Sequence, residues 1–156
     1  MSIIEEALGV LKTREFVAMA TADKNGKPNS APKLLLKIDG RAVYFIDYSI
    51  GRTFENLKVN PEASLSFIDI VSLFGYRLNG KVEIIEKGKM YDGFLKELAE
   101  REIELSVERV LKAVHEGKRH KEIELGISNH FLIYKIKIKE GCEISPRGEL
   151  KHEDSQ

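Results

Sequence analysis

A helix start rich in cationic and hydroxyl side chains is the feature of this sequence best suited to chemistry. From residue 48 to residue 53 the chain reads Tyr-Ser-Ile-Gly-Arg-Thr, where a predicted strand passes into a short helix. The first N–H groups of a helix lack intrahelical partners, and the helix dipole is positive at that end. With Ser49, Arg52 and Thr53 beside them, these N–H groups offer a phosphate several hydrogen bonds. The pattern therefore predicts a site for a phosphorylated small ligand.

Two lysines of the preceding strand are further candidates for this anion site. Lys33 and Lys37 alternate with Leu34 and Leu36, and successive side chains of a strand point to opposite faces. We therefore expect both lysines on one face, lining a surface cleft beside the core. Asp47 is expected to contribute its backbone, because a carboxylate beside a phosphate would repel it.

Six segments of alternating apolar residues predict the strands that position these groups. The first begins at Phe16, the second runs up to Ile38, and the others cover Arg41–Tyr48, Ala63–Ile68, Tyr76–Ile85 and His130–Lys139. Glycine-bearing turns at residues 23–28 and at Asp39-Gly40 predict hairpins. Six such strands, joined mostly by short turns, favour a closed antiparallel barrel, since closure leaves no exposed strand edges.

Three helices are predicted around these strands. The first covers Ser2–Thr13, where Ser2 and Glu5 have the spacing of a capping box. A short helix follows the third strand over Thr53–Val59. A helical insert at about residues 88–117 precedes the last strand.

Composition argues against several classes of protein. A length of 156 residues with 42% hydrophobic content fits one domain, predicted over residues 1–145 with a polar tail over 146–156. Lys+Arg 25 against Asp+Glu 25 gives zero net charge, so neither a nucleic acid nor a membrane is expected as a partner. A single cysteine, Cys142, and the lack of a basic, apolar leader predict a cytoplasmic protein. The four histidines show no carboxylate or cysteine at metal-ligand spacing, so no metal site is predicted.

Two segments of the chain carry a resemblance to a known family. One extends from Lys37 through residues 44–53 to Pro61, and the other reads Tyr-Arg-Leu-Asn-Gly-Lys-Val-Glu over residues 76–83. Over roughly residues 13–86 the chain resembles the FMN-binding split-barrel family related to pyridoxamine 5′-phosphate oxidase. The implied fold is mainly β with α additions (α+β). It is a six-stranded antiparallel split β-barrel with an N-terminal helix, a short helix after strand 3 and a helical insert before the last strand.

The resemblance also implies a cofactor and its contacts. In this family a lysine of the second strand, the end of the third strand and the start of the next helix hold the flavin phosphate and ribityl chain. With the backbone of the second strand facing the flavin ring, the predicted FMN-binding residues are Lys33, Leu34, Lys37, Asp47, Tyr48, Ser49, Arg52, Thr53 and Arg77. Arg77 is the expected contribution of a second subunit, because the family places its flavin sites at a homodimer interface. Deazaflavin and haem, which related split-barrel proteins use, are the alternative cofactors.

Departures from the oxidase pattern limit the expected reaction. Thr53 stands where the oxidase has lysine, Gly75 stands where it has glutamine, and no Arg-x-x-x-Arg-Leu-like substrate segment follows Ile144. Pyridoxamine phosphate oxidation is therefore not expected. We expect an FMN-dependent oxidoreductase that acts on an unidentified small molecule, with an electron donor such as NAD(P)H. The alternative is a non-catalytic flavin carrier, electron-transfer or sensor module.

Overall fold

The computed structural model describes residues 1–48, 50–100 and 131–154. The chain forms two compact units. The first contains Met1–Ile85 and Leu132–Gln156, and the second contains Glu86–Phe131.

Six antiparallel strands of the first unit close into a barrel. They are β1 (Phe16–Ala22), β2 (Pro28–Asp39), β3 (Ala42–Asp47), β4 (Glu62–Ile68), β5 (Gly75–Ile85) and β6 (Leu132–Ile144). Their order is β3-β2-β1-β4-β5-β6, and pairing of β3 with β6 closes the ring. The predicted six-stranded antiparallel split barrel of the α+β class is thereby confirmed.

Two of the predicted turns contain a glycine with a positive φ, and the inward face of β6 is apolar. Gly40 has a φ of +57° between β2 and β3, and Gly26 has a φ of +81° between β1 and β2, in the left-handed region that glycine enters without a steric penalty. Four residues of β6 face inwards and are buried, and they are Leu132, Tyr134, Ile136 and Ile138.

Helices occur in both units. In the first unit, α1 covers Ile3–Leu11 and begins with the predicted Ser2–Glu5 capping box. Helix α2 covers Arg52–Val59 and packs on β1 and β2. In the second unit, residues 89–100 form α3, within the predicted insert, whose remaining residues 101–117 lie outside the described part. Among the described residues, no helix is long and apolar enough to cross a bilayer.

A seventh strand, β7 (Leu150–Asp154), was not predicted from the sequence. It pairs with β6 outside the closed ring, within residues 146–156, which were predicted as a polar tail. The Glu153 carboxylate accepts a hydrogen bond from the Ile4 backbone N–H at 3.0 Å and lies 3.5 Å from the Arg41 guanidinium. The side chains of β7 are exposed except for the partly buried Glu153, which agrees with the polar composition of the segment, and β7 is hydrogen-bonded to β6.

A bulge in β2 overturns the prediction that Lys33 and Lys37 share one face. Leu35 pairs with Phe45 and Lys37 pairs with Tyr44, so Leu36 has no partner on β3. One extra residue reverses the direction of every side chain that follows it. Lys33 therefore points into the barrel and Lys37 points out of it.

Candidate functional site

Strand β3 ends at Asp47, and α2 begins a few residues later at Arg52. We call Tyr48 together with Ile50–Arg52 the β3–α2 corner; Ser49 lies outside the described residues. No side chain caps the N-terminus of α2 at Gly51. Ile50 is exposed and has a φ of +29°, a conformation that is costly for a β-branched residue. The corner therefore combines an uncapped helix start with local backbone strain.

Arg52 presents its guanidinium to solvent at this helix start. Its side chain is 55% exposed, and its Nε lies 3.8 Å from a Glu55 carboxylate that is 67% exposed. An exposed pair of this kind contributes little to stability and is easily exchanged for another anion. Arg52 also lies near the β1–β2 turn. There the pKa of Asp23 is lowered mainly by a hydrogen bond from the Lys27 backbone, with a smaller contribution from the Arg52 charge.

Polar contacts hold the inner side of α2 against the sheet. Thr53 is 2% exposed, and its Oγ1 accepts a hydrogen bond from Asn29 Nδ2 at 3.3 Å. One turn later, Asn56 Nδ2 donates to Thr21 Oγ1 at 3.1 Å. The hydroxyl of Thr53 is thus directed towards β2. At the helix start, Thr53 therefore offers a ligand its backbone N–H.

Three buried side chains form a polar network at the end of β3. Lys33 Nζ lies 2.8 Å from Asp47 Oδ1, and Tyr134 Oη donates to Asp47 Oδ2 at 2.6 Å. Their exposures are 4%, 1% and 0% for Lys33, Asp47 and Tyr134. Burial raises the pKa of Tyr134, and its hydrogen bond to the Asp47 carboxylate raises it further. We call these residues the buried triad.

The buried triad differs from what the sequence indicated in two respects. Lys33 does not line a surface cleft, because the barrel interior encloses its side chain. Asp47 uses its carboxylate in an ion pair, where only its backbone was expected to take part. Tyr134 was not assigned a role from the sequence. Its type was a usable signal, since a buried tyrosine hydroxyl usually has a hydrogen-bond partner.

The remaining predicted residues lie at separate places on the barrel. Leu34 is buried, in register with Ile46 of β3. Tyr48 is partly buried at the β3–α2 corner. Lys37 is exposed, and it lies eight residues from Asn29, the partner of Thr53, which corresponds to about 26 Å along β2. The structure therefore brings Tyr48, Arg52 and Thr53 together and places Lys37 far from the start of α2.

Arg77 belongs to an exposed sheet face made mostly of small residues. The strand registers place these small residues side by side on β2, β1 and β4, and they are Ser30, Pro32, Ala18, Ala20, Ser64 and Ser66. We call them the small-residue face. Arg77 of β5 is paired with Ser66 and is exposed beside it. An open groove of about 370 Å³, lined in part by Ala20, Ser64 and Asn79, borders this face.

Comparison with known proteins supplies a family and a set of similar folds. A family model described as pyridoxamine 5′-phosphate oxidase matches residues 3–125. Comparison with curated proteins gives no match.

Among the described residues, no group of His, Cys, Asp and Glu side chains is arranged to hold a metal ion.

Three solved structures illustrate the range of similar proteins. One from Clostridium acetobutylicum, related to general stress protein 26 of B. subtilis, has a TM-score of 0.64 at 17% identity, with 99% of this chain and 96% of that chain covered. A pyridoxamine 5′-phosphate oxidase-related, FMN-binding protein from Nostoc punctiforme has a TM-score of 0.57 at 14% identity, covering 98% and 95%. HutZ, the haem storage protein from Vibrio cholerae, has a TM-score of 0.58 at 15% identity, covering 89% and 92%. Likeness at these identities establishes the shared fold.

Proposed function

Because this chain belongs to the pyridoxamine 5′-phosphate oxidase family, we propose that it binds FMN, with the cofactor phosphate at the β3–α2 corner. The observation that carries this proposal is the exposed Arg52 guanidinium beside the uncapped start of α2. A guanidinium binds phosphate with two parallel hydrogen bonds, and uncapped helix N–H groups bind the remaining oxygens. The residues present at the corner therefore fit a phosphate monoester.

Each residue at the corner would have a distinct task in holding the cofactor. Arg52 would bind the phosphate through its side chain, and Thr53 would bind it through its backbone N–H. Tyr48 and Ser49 are proposed contacts of the ribityl chain. Leu34 would lie at the flavin ring, and Lys37 stays a predicted contact that the geometry of one subunit does not support.

Flavin chemistry defines the proposed activity. When bound, FMN supplies hydride or single-electron transfer, and the protein contributes binding and orientation. We propose an oxidoreductase that acts on a small molecule and takes electrons from a donor such as NAD(P)H. A non-catalytic flavin carrier, electron-transfer or sensor module is the alternative.

The absorption spectrum of the purified protein tests the cofactor and the activity in sequence. We expect FMN to bind at one per subunit in a fluorescence titration and to give oxidised-flavin bands. Anaerobic NADH or NADPH should then bleach these bands if the protein is an oxidoreductase. Binding without bleaching by either donor would support the carrier or sensor role, and no binding at micromolar FMN would overturn the proposal.

Haem is a second candidate because one structure of the same fold is described as a haem storage protein. A haem iron needs an axial ligand such as histidine. His152 on β7 is exposed, while His115, His120 and His130 lie outside the described residues. A Soret band on addition of haem, without flavin binding, would favour haem over FMN; a deazaflavin would be separated from FMN by its own absorption and fluorescence.

We also propose that the small-residue face mediates a homodimer with the flavin sites at its interface. The six residues of this face are small and uncharged and lie side by side on β2, β1 and β4, which suits close approach of a second copy. Arg77 at its margin would then reach the cofactor of the partner subunit.

Introducing a charge on this face tests the dimer. We expect light scattering to show a dimer for the unmodified protein and a monomer with weakened FMN binding for Ala18→Glu, since the carboxylates would meet across the interface. Lys12→Glu at the C-cap of α1, an exposed site that is not among the residues of the face, is the control and should stay dimeric. An unmodified protein that binds FMN stoichiometrically as a strict monomer would contradict the proposal.

A further inference from the structure

We propose that the buried triad of Lys33, Asp47 and Tyr134 positions the β3–α2 corner for the cofactor phosphate. The triad would not touch the cofactor; it would act through the backbone that follows Asp47. This inference rests on the proposed function and adds positioning residues to it, including Tyr134, which the sequence did not assign to the site.

The first support is the placement of an ion pair in the barrel interior. Lys33 and Asp47 are 4% and 1% exposed, with 2.8 Å between their charged atoms. Removing two charges from water costs free energy that can exceed their mutual attraction, and apolar side chains of similar size often serve stability as well or better. The pair therefore indicates a role other than stability.

The second support is the connection between three strands. Lys33 belongs to β2, Asp47 is the last residue of β3, and Tyr134 belongs to β6. Both Asp47 carboxylate oxygens are bound, one by each neighbouring strand. The orientation of β3 is thus determined at the residue where the chain leaves the sheet for the corner.

The third support is the backbone conformation of the β3–α2 corner. Ile50 has a positive φ, and α2 begins without a side-chain cap. Strained backbone persists only where its surroundings hold it in place. On one side the triad holds Asp47, and on the other the hydrogen bond from Asn29 holds Thr53. The residues proposed to bind phosphate lie between these two anchors.

Replacing the whole triad by apolar side chains distinguishes a positioning role of the triad from a role in stability. In the Lys33→Met, Asp47→Leu, Tyr134→Phe triple variant, we expect a midpoint of urea unfolding that is unchanged or higher. FMN affinity should fall by about tenfold or more, because a displaced β3–α2 corner would lose about one charge-assisted hydrogen bond to the phosphate. In the cofactor-free protein, amide exchange at Tyr48, Ile50 and Gly51 should accelerate while exchange in β1 and β4 stays as it was.

The single variant Tyr134→Phe tests the positioning role if the triple variant does not fold. Tyr134→Phe keeps the ion pair and removes the hydrogen bond that joins β6 to the Asp47 carboxylate. It should weaken FMN binding severalfold and accelerate exchange at the same amides. Tyr76→Phe on β5, a tyrosine that is 7% exposed and stacks on Phe67, is the matched control and should change neither.

The outcomes separate this inference from the proposed function. Unchanged corner exchange and unchanged FMN affinity in a folded triad variant would overturn the positioning role. Acceleration spread evenly over the barrel would do so as well, since it indicates a purely structural pair. If the unmodified protein does not bind FMN, the proposed function fails, and the exchange measurement still tests whether the triad holds the corner.

Discussion

The Asp47→Ala variant is expected to be less stable than the unmodified protein by about 3–5 kcal/mol, the cost of breaking a buried ion pair on one side. The variant retains the Lys33 ammonium inside the barrel, 4% exposed, without the carboxylate that lies 2.8 Å away. The Tyr134 hydroxyl, which is fully buried, loses its acceptor as well. Urea unfolding followed by circular dichroism measures the difference.

An exposed carboxylate on a strand is the control for this loss. Glu83 lies on β5 and faces solvent, so Glu83→Ala should change the free energy of unfolding by no more than about 0.5 kcal/mol. A loss below about 1 kcal/mol for Asp47→Ala would show that Lys33 leaves the interior or loses its charge at little cost, and the account of the triad as a buried ion pair would be wrong.

The Arg52→Ala variant is expected to bind FMN about 10- to 100-fold more weakly, because a hydrogen bond to a charged group contributes about 1.5–3 kcal/mol. Its stability should be nearly unchanged, since the side chain is 55% exposed and its pair with Glu55 is long at 3.8 Å. Quenching of FMN fluorescence on titration with protein measures the affinity. Raised salt should reduce the difference between the two proteins, because ions screen the phosphate contact.

A second cation on the same helix provides the matched control. Lys58 lies in the last turn of α2, with its Nζ 4.6 Å from the centre of the Phe54 ring. Lys58→Ala removes the same net charge from α2 at the opposite end, so FMN affinity should change less than threefold, or about 0.6 kcal/mol. Equal losses for both variants would mean that the net charge of α2, and not a contact at the corner, governs binding.

The architecture followed from signals that act between neighbouring residues. Alternation of apolar side chains gave the six barrel strands, Asp39-Gly40 gave the β2–β3 hairpin, and Ser2 with Glu5 gave the start of α1. These signals depend on the backbone geometry of a few consecutive residues, so they can be interpreted without knowing the fold. The same holds for the start of α2, where Arg52 and Thr53 were expected.

The contacts of the buried triad could not be predicted from the sequence, because they depend on pairing between distant segments. The bulge at Leu36 arises from the register between β2 and β3, and it alone separates Lys33 from Lys37. The partnership of Asp47 with Tyr134 joins residues 87 positions apart. Strand β7 was missed for a related reason, because its polar residues form a strand only through pairing with β6.

The amino-acid sequence by itself determined the barrel and the helix start at Arg52, because strand periodicity and turn residues are encoded locally, and its resemblance to known sequences indicated the family. Only the tertiary structure decided that Lys33 and Asp47 neutralise each other inside the barrel while Arg52 stays exposed to solvent. The physical reason is that burial is a property of the closed barrel. The residue type of a lysine or an aspartate does not specify a face of the strand, and the strand register determines which face it occupies.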